Sequence, residues 1–326
     1  MRFKFLLFLV FLNSCNNTPP NYKPRSSGNI NTVTVIINND LWSSTVGSAI
    51  RNAFASEFIG LPQIEPIFNL KQMPFEAFSG FSRESRNIIL IQNANKDNVI
   101  FETDKYAQPQ FLVAITGKNQ TDIIQSIETN KKRIITLIKK NEIKEKQRRI
   151  KISKLEKNEL KEFLSLDLIM PSAYKIFKKG VEKIIWFQRE TNKGTVNVLA
   201  YALDEKNFYK GNSLSELIKL RDSVGKSFVP GRNKNSYMIT EKAYEPYIKK
   251  TRVNGFSAFE TRGTWELKKD FMAGPFINYL IKDTINKRTI ALEGFVFSPS
   301  SRKRELIFEL ESIFKTLRIY KKQEGN

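Results

Sequence analysis

Cys15 is the only cysteine among the 326 residues, so the chain cannot form an internal disulfide bond. Its fold must therefore be held together by packed hydrophobic cores alone. The hydrophobic fraction of 40% and the aromatic fraction of 12% are typical of a globular protein. A chain of this length is expected to form two domains or one large domain.

The residues before Cys15 have the pattern of a signal peptide, residues 1–14. Arg2 and Lys4 precede a run of about eight apolar residues, which is shorter than the ~20 needed to span a bilayer. Because a small residue, Ser14, stands directly before the cysteine, the sequence resembles the lipobox of bacterial lipoproteins. That resemblance implies that Cys15 carries acyl chains such as palmitate, and two or more chains on one residue give stable anchoring. The alternative is an ordinary secretory signal cut elsewhere, with Cys15 incidental.

The rest of the sequence divides into four parts. Residues 15–31 are rich in Asn, Pro, Ser and Gly and favour a flexible tether, because they cannot bury enough apolar surface to fold. Strand and helix patterns then predict an N-terminal domain over residues 32–160, ending in a long basic helix. A C-terminal domain is predicted over residues 161–320, followed by a polar tail, 321–326. Both domains are predicted to be α+β, each a mostly antiparallel sheet packed with helices.

Three local signals predict individual elements. A long helix is expected from Thr121, where apolar residues at helical spacing continue into a basic stretch. Asn254 and Gly255 form the strongest hairpin signal in the chain. A final helix, with its apolar face turned inward, is expected to be capped by Ser300 or Ser301.

The formal net charge of +21 favours a polyanionic partner, but nucleic acid is not expected. Lys, Asn and Ile are frequent throughout, as mutational bias towards A·T-rich codons produces, and an exported protein rarely meets nucleic acid. The excess is concentrated in residues 130–162, where thirteen Lys or Arg stand against five Glu. Arg148, Arg149 and Lys151 are therefore candidates for contact with anionic lipid headgroups or another envelope polyanion. The alternative is an ordinary solvated helix face.

The residue types present exclude several kinds of catalysis. The sequence contains no histidine, and Cys15 is assigned to lipidation. Ser-His-Asp and Cys-His catalysis, and zinc sites built on His or thiolate, therefore cannot form within one chain. Carboxylate acid–base chemistry, Lys or Tyr chemistry and an all-oxygen cation site remain open. No catalytic residue, metal site or cofactor is assigned, and a non-enzymatic protein is favoured.

One predicted strand carries the best candidate for a ligand site. Glu260 and Arg262 share one face of this strand, and Trp265 and Glu266 follow closely. These four residues are candidates for ligand binding, because an aromatic, turn-rich connection follows them. The alternative is a structural salt bridge inside a hairpin packed by aromatic side chains. A glycoside hydrolase would need Glu260 or Glu266 to lie opposite another acid such as Glu293.

Several short motifs along the chain are typical of one family. They are Gly60-Leu61-Pro62-Gln63, Arg86-Asn87-Ile88-Ile89-Leu90, Gln108-Pro109-Gln110, Phe228-Val229-Pro230-Gly231, Glu260-Thr261-Arg262-Gly263-Thr264-Trp265, Asp270-Phe271-Met272-Ala273-Gly274-Pro275-Phe276 and Glu293-Gly294-Phe295-Val296-Phe297. Together they resemble the bacterial lipoproteins of Bacteroidota that are grouped as domain of unknown function 4837. The resemblance spans nearly the whole chain and implies no activity, because none is established for that family. The C-terminal half also resembles, more loosely, the PsbP-type α/β/α sandwich, which serves in binding and assembly.

These observations predict a lipid-anchored protein of the cell envelope that acts as a non-enzymatic binding or assembly module. The expected partners are the membrane, through the N-terminal lipid, and an unidentified envelope protein or glycan. Since residues 16–18 carry no acidic side chain, the expected location is the periplasmic face of the outer membrane. The alternative function is a carboxylate-dependent hydrolase or lyase that acts on envelope or imported polysaccharide.

Overall fold

The computed structural model describes residues 22–157, 159–181 and 183–322. Cys15 and the predicted signal peptide lie outside the described residues, as do residues 16–21 of the predicted tether and 323–326 of the tail. Within the described ranges, no helix is both long enough and apolar enough to cross a membrane.

The N-terminal half forms a five-stranded sheet in the order β2-β1-β3-β5-β4. Apolar side chains of two helices, α2 and α3, pack on one face of this sheet and form its core. The elements of this half are β1 (Thr32–Ile36), α1 (Asn39–Ser43), α2 (Thr45–Phe54), β2 (Asn69–Met73), β3 (Asn87–Asn93), β4 (Asn98–Thr103), β5 (Phe111–Gly117) and α3 (Gln120–Ile152). The long helix predicted from Thr121 is therefore confirmed as α3.

The direction of these strands differs from the prediction. β1 runs parallel to β2 and to β3, and β3 runs parallel to β5, whereas β4 pairs antiparallel with β5. The expectation of a mostly antiparallel sheet is therefore wrong for this half. The reason is that α1 and α2 form a crossover between β1 and β2, and a helical crossover brings the chain back in the same direction. For the chain as a whole, an α+β fold with mostly antiparallel sheets is confirmed.

The C-terminal half forms an eight-stranded antiparallel sheet, in which β10 and β11 both pair with β12 and the order continues β12-β13-β14-β9-β8-β7. Its elements are α4 (Leu160–Leu164), β6 (Leu166–Asp167), β7 (Lys175–Gly180), β8 (Ile184–Thr191), β9 (Gly194–Asp204), α5 (Leu214–Phe228), β10 (Tyr237–Thr240), β11 (Tyr247–Val253), β12 (Phe256–Lys268), β13 (Ala273–Asp283), β14 (Arg288–Phe297), α6 (Arg304–Phe314) and β15 (Arg318–Ile319). The predicted hairpin turn at Asn254 and Gly255 joins β11 to β12. Both residues have a positive φ, as a tight two-residue turn requires.

Helix α6 lies between the two halves of the chain. It packs on one face of the large sheet, while α5 and the 3₁₀ segment Glu205–Asn212 cover the other face. Its opposite side contacts α3 of the N-terminal half, where Phe308 packs with Ile30 and Ile143. This helix–sheet–helix layering is the arrangement that the PsbP-type resemblance implies, and the relationship itself stays a prediction.

The start of α6 differs from the prediction. Lys303 occupies the N-cap position, in place of Ser300 or Ser301. The cap comes from the other half of the chain, because Glu65 accepts hydrogen bonds from the backbone N–H groups of Lys303 and Arg304 at 2.6 and 3.2 Å. A carboxylate at this position also matches the positive end of the helix dipole. The sequence near α6 carries no sign of a cap that lies 238 residues away.

Part of the predicted tether is packed onto the N-terminal half. Ser26 and Ser27 donate backbone hydrogen bonds to the carbonyl groups of Gln108 and Glu84 at 3.2 and 2.8 Å. The expectation of a flexible tether as far as residue 31 is therefore wrong for residues 24–31. Composition was a poor guide here, because backbone hydrogen bonds hold this segment and its side chains contribute little apolar surface.

Candidate functional site

The four predicted ligand residues lie on β12, where successive side chains point to opposite faces of the sheet. Glu260 and Arg262 face α6, Glu266 is on the same face of the strand, and Trp265 faces α5. Glu260 is 1% exposed and Arg262 is 5% exposed, so neither presents a free surface to a ligand. Glu266 lies six residues further along the strand, about 20 Å from Glu260. The structure therefore brings Glu260 and Arg262 together and leaves the other two apart.

Arg262 is held between two carboxylates. Its Nε lies 2.7 Å from Oε1 of Glu260, and its Nη2 lies 2.6 Å from Oε2 of Glu311. Since Glu311 belongs to α6, the guanidinium group ties the sheet to the helix above it. Glu260 and Arg262 thus form a structural salt bridge, which is the alternative that the sequence left open.

Glu260 accepts hydrogen bonds or ion pairs from three side chains. Besides Arg262, the hydroxyl of Tyr279 lies 2.8 Å from its Oε2, and Nζ of Lys249 lies 3.2 Å from its Oε1. Burial acts to raise the pKa of Glu260, but the charges of Arg262, Lys249 and Lys139 together outweigh it and hold the pKa below the usual value. A carboxylate of this kind stays ionised at neutral pH, so Glu260 is poorly suited to act as a general acid.

Glu311 connects the same cluster to the N-terminal half. Lys139 on α3 lies 2.9 Å from its Oε1, and Lys315 lies 3.7 Å from the same atom. Burial acts to raise the pKa of Glu311, but Lys139 and Arg262 outweigh it and lower the pKa well below the usual range. The pKa of Lys139 is itself lowered, because its burial outweighs the attraction of Glu311. We call Lys139, Lys249, Glu260, Arg262 and Glu311 the joint cluster.

Trp265 and Glu266 have separate surroundings. The indole Nε1 of Trp265 donates a hydrogen bond to the carbonyl of Val296 at 3.2 Å, and its ring packs edge-on against Phe295. Trp265 is buried in the core between the sheet and α5. Glu266 is half-buried near the end of the strand. Trp265 therefore has a structural position, Glu266 lies apart from the other residues, and the predicted four-residue ligand site does not form.

Glu293 lies on the opposite face of the sheet from Glu260. It forms an ion pair with Arg221 of α5 at 2.7 Å and accepts a hydrogen bond from Asn278 at 3.2 Å. Burial raises the pKa of Glu293 despite the opposing charge of Arg221. Because the sheet separates Glu260 from Glu293, the two carboxylates cannot flank one glycosidic bond.

An open cavity of about 260 Å³ adjoins the joint cluster at the junction of the two halves. Its wall includes the charged side chains of Lys139, Lys249 and Arg262 and the ring of Tyr247. A neighbouring groove of about 390 Å³ shares Arg262 and Tyr247 with it and extends past Tyr244. Ligand sites often lie at such junctions between folded units. Within the described ranges, no group of three or more acidic side chains is placed to hold a metal ion.

Gly60 brings the groove wall against the joint cluster. Its φ of +87° lies in the region that favours glycine, and a Cβ atom at this position would lie 2.7 Å from Cβ of Arg262. The Gly60-Leu61-Pro62-Gln63 motif and the Arg262-Gly263-Thr264 segment, which are far apart in sequence, therefore meet at the groove. A larger residue at position 60 would push this loop away from β12.

The predicted basic contact residues divide into two groups. Arg148 and Arg149 both bind Glu145, whose carboxylate is buried, at 2.7 Å. Arg149 also donates a hydrogen bond to the carbonyl of Gly28 at 2.8 Å. Lys151 is exposed at the end of α3. Lys151 is therefore free to reach a partner surface, whereas Arg148 and Arg149 also neutralise a buried carboxylate.

Sequence reasoning missed the residues that complete the joint cluster. Lys139 stood in a basic stretch that was interpreted as a solvated or membrane-facing surface, and Glu311 stood among the apolar residues of the last helix. The local pattern in α6 is that Glu309 and Glu311 flank the inward-facing Leu310. This pattern did not show the burial of Glu311, because acidic residues beside an apolar stripe are also typical of a helix that is covered on one side only.

Two family models match adjacent parts of the chain. The family described as domain of unknown function (DUF4837) matches residues 153–316, and a second domain of unknown function (DUF8532) matches residues 26–151. The first match confirms the family that the motifs indicated, but only for residues 153–316. The motifs at residues 60–63, 86–90 and 108–110 lie in the region of the second match, so the expectation that the resemblance spans nearly the whole chain is wrong. The joint cluster spans both regions, because Lys139 belongs to the second match and the other four members belong to the first. No curated protein matches the sequence.

Among solved structures, the chain is similar to LpqN, described as involved in cell envelope biogenesis of Mycobacterium tuberculosis. The two chains are 11% identical, and the similarity covers 48% of this chain and 83% of that one, with a TM-score of 0.30. A likeness of this level does not establish a common fold or a common function.

Proposed function

The chain belongs to the family of domain of unknown function 4837, and from that premise we propose that it is a lipid-anchored cell-envelope protein that works by binding and not by catalysis. The proposal places it on the periplasmic face of the outer membrane, held by acyl chains on Cys15. Its partner is an envelope protein or glycan.

The non-catalytic assignment rests on the burial of Glu260 and on the side chains that bind its carboxylate. Arg262, Tyr279 and Lys249 occupy its oxygens, and the residue is 1% exposed. A hydrolase of the two-carboxylate type needs a pair of acids about 5–10 Å apart across an open cleft. Glu266 is too far along the strand, and Glu293 lies behind the sheet. The polysaccharide hydrolase or lyase therefore has no acid pair among its candidate residues.

The position of the first packed residues supports anchoring close to a membrane. Pro24 accepts a backbone hydrogen bond from Gln108, so the chain joins the fold about nine residues after Cys15. Nine residues reach at most about 30 Å when fully extended. A lipid on Cys15 would therefore keep Pro24, the first of these packed residues, within about 30 Å of the bilayer.

A second candidate role is contact between α3 and anionic lipid headgroups. Five cations of this helix fall within about 80° of one another around its axis. We call them the basic face of α3, and they are Arg133, Lys140, Lys144, Arg148 and Lys151. The bond from Arg149 to Gly28 supports this role, because it ties the segment that follows the tether to the same end of the helix.

The binding assignment is tested with isolated envelope polysaccharide. The purified full chain should be retained on insoluble envelope material, and the reducing ends of the polysaccharide should not increase during incubation. A release of reducing ends that disappears in the Glu260→Gln variant would contradict the proposal, because it would show that this carboxylate takes part in cleavage. Thermal unfolding of the variant shows whether the loss reflects unfolding instead.

A further inference from the structure

The wall of the 260 Å³ cavity beside the joint cluster, which we call the joint cavity, carries three cations and one exposed carboxylate, Glu57. Lys139, Lys249 and Arg262 line the wall, and the carboxylates of Glu260 and Glu311 are shared among them. A fourth cation, Lys315, also lies near Glu311. Beneath this wall, the carboxylates of Glu260 and Glu311 are therefore shared among four cations, of which Lys315 does not line the cavity. Excess positive charge in a partly buried position is unfavourable, and an anion in the cavity would remove that cost.

The two lysines have donors left for such an anion. Each ammonium group carries three N–H donors. Lys139 is paired with Glu311 and Lys249 with Glu260, which leaves further donors on both. Their side chains are 30% and 39% exposed, so both can reach the open cavity. Burial lowers the pKa of Lys139 despite the attraction of Glu311, so a further negative charge beside Lys139 would stabilise its ammonium form.

The size of the cavity limits what can enter it. A volume of about 260 Å³ is at the lower end of ligand pockets, so it admits a charged group together with about one ring. The remainder of a larger ligand would continue into the adjoining groove of about 390 Å³. Carboxylates at the rim, Glu57 and Glu245, are exposed and their charges are screened by water.

The groove has the mixed chemistry that a sugar requires. Tyr244 and Tyr247 are 66% and 43% exposed and offer ring faces, against which the apolar side of a sugar ring can pack. Gln63 and Thr264 supply hydrogen-bonding groups along the same wall. A purely apolar ligand would leave these polar groups unpaired.

We propose that the joint cavity binds the carboxylate of an acidic sugar through Lys139 and Lys249, with the rest of the ligand against Tyr247 and Tyr244. This inference rests on the proposed binding function and specifies its ligand class. It places the site at the contact between the segments that the two family models match, so both are needed to form it.

The test is isothermal titration calorimetry of the purified full chain with three probes. Tetragalacturonate supplies carboxylates on a sugar backbone, maltotetraose is its neutral counterpart, and inorganic phosphate is an anion without a sugar. Tetragalacturonate should bind at least tenfold more tightly than either of the others. Equal affinity for maltotetraose would overturn the role of the charge, and tighter binding of phosphate would overturn the role of the sugar.

A matched pair of variants locates the site. Lys249→Gln should weaken tetragalacturonate binding about tenfold, since it removes one of two ammonium donors. Lys250→Gln makes the same chemical change at the next residue of β11, where the side chain points away and lies 5.9 Å from the ring centre of Phe259. It should leave the affinity unchanged. Equal affinity of both variants, with unchanged thermal unfolding, would overturn the assignment.

The same titration separates this inference from the proposed function. If tetragalacturonate is neither bound nor cleaved, the cavity assignment is wrong and the binding function can still hold for another partner. If it is bound and then cleaved, the cavity assignment holds and the non-catalytic function is wrong. Mass spectrometry of the probe after titration distinguishes these outcomes.

Discussion

Lys146 on α3 and Glu309 on α6 form an ion pair of 2.8 Å that joins the two halves of the chain. Lys139 and Glu311 form a second pair between the same helices at 2.9 Å. Part of the positive charge of the basic helix therefore neutralises carboxylates of α6. The charge excess that the sequence shows in residues 130–162 is thus divided between an internal contact and the solvent-exposed basic face.

Replacement of Arg262 by Met is expected to destabilise the protein strongly. The variant leaves the buried carboxylate of Glu260 and that of Glu311 without their shared partner. Removing one member of a buried ion pair typically costs about 3–5 kcal/mol, because a charge remains buried without compensation. Chemical denaturation should show a loss of this size in the free energy of unfolding.

The control for Arg262 lies on the same strand. Lys268 is exposed at the end of β12, and Lys268→Met should change the free energy of unfolding by less than about 0.5 kcal/mol. If Arg262→Met were as mild as this control, Arg262 would not tie the large sheet to α6 in the way described.

Replacement of Glu65 by Ala is expected to weaken the start of α6. The carboxylate accepts two backbone hydrogen bonds there, and loss of a helix cap costs about 0.5–2 kcal/mol. Glu76→Ala, at an exposed position in the same half of the chain, is the matched control. Equal thermal unfolding of the two variants would show that Glu65 does not act as the cap.

Local sequence signals were sufficient to predict the elements that depend only on residues a few positions apart. The hairpin at Asn254 and Gly255 follows from turn chemistry, and α3 follows from apolar residues at helical spacing. The pairing of Glu260 with Arg262 is also local, because the two residues share a face of one strand. These features could be predicted without knowledge of the rest of the fold.

Features that depend on distant partners could not be predicted in this way. The parallel direction of β1 and β2 depends on how a crossover returns to the sheet, and the cap of α6 comes from Glu65 in the other half. The ion pair of Lys139 depends on Glu311, which is remote in sequence. Charge patterns show that cations are present, but they do not show which of them meet a carboxylate after folding.

The stability of the protein is expected to fall in acid, and Glu145 should contribute. Burial acts to raise its pKa, but hydrogen bonds from Arg148 and Arg149 outweigh this and lower the pKa from 4.5 to about 2. Since the pKa is lower in the folded state, the stabilisation is present above pH 4.5 and is lost as the pH falls towards about 2. Urea denaturation across this interval should show a smaller fall for Glu145→Gln than for the wild type. If the free energy of unfolding falls equally with pH in both proteins, other carboxylates are the cause of the acid sensitivity.

Replacement of Cys15 by Ser is expected to release the protein from membranes. The change removes the sulfur to which the acyl chains are attached and leaves the packed residues from Pro24 onward unaltered. Cell fractionation should find the variant in the soluble fraction, folded as judged by circular dichroism. Ser14→Ala keeps a small residue before the cysteine and should stay in the membrane fraction. A Cys15→Ser protein that stays with the membrane would show that the anchor is not a lipid on this residue.

Charge reversal on the basic face of α3 is expected to abolish contact with anionic vesicles. Each lysine near an anionic surface contributes about 1 kcal/mol, so the triple change of Lys140, Lys144 and Lys151 to Glu should reduce vesicle binding at least 100-fold. These three residues are preferable to Arg148 and Arg149, whose loss would leave the buried carboxylate of Glu145 unpaired. Flotation is done in the Cys15→Ser background, so that the lipid anchor does not mask the effect.

The comparison variant for flotation carries the same reversal at three exposed lysines of the C-terminal half, Lys193, Lys206 and Lys242. Both triple variants lower the net charge by the same amount, so a difference between them reports the position of the charge and not its total. Binding to vesicles of phosphatidylglycerol and phosphatidylcholine should persist in the comparison variant and weaken with added salt. If the two variants bind equally, the basic face of α3 is a solvated surface, and the membrane contact depends on Cys15 alone.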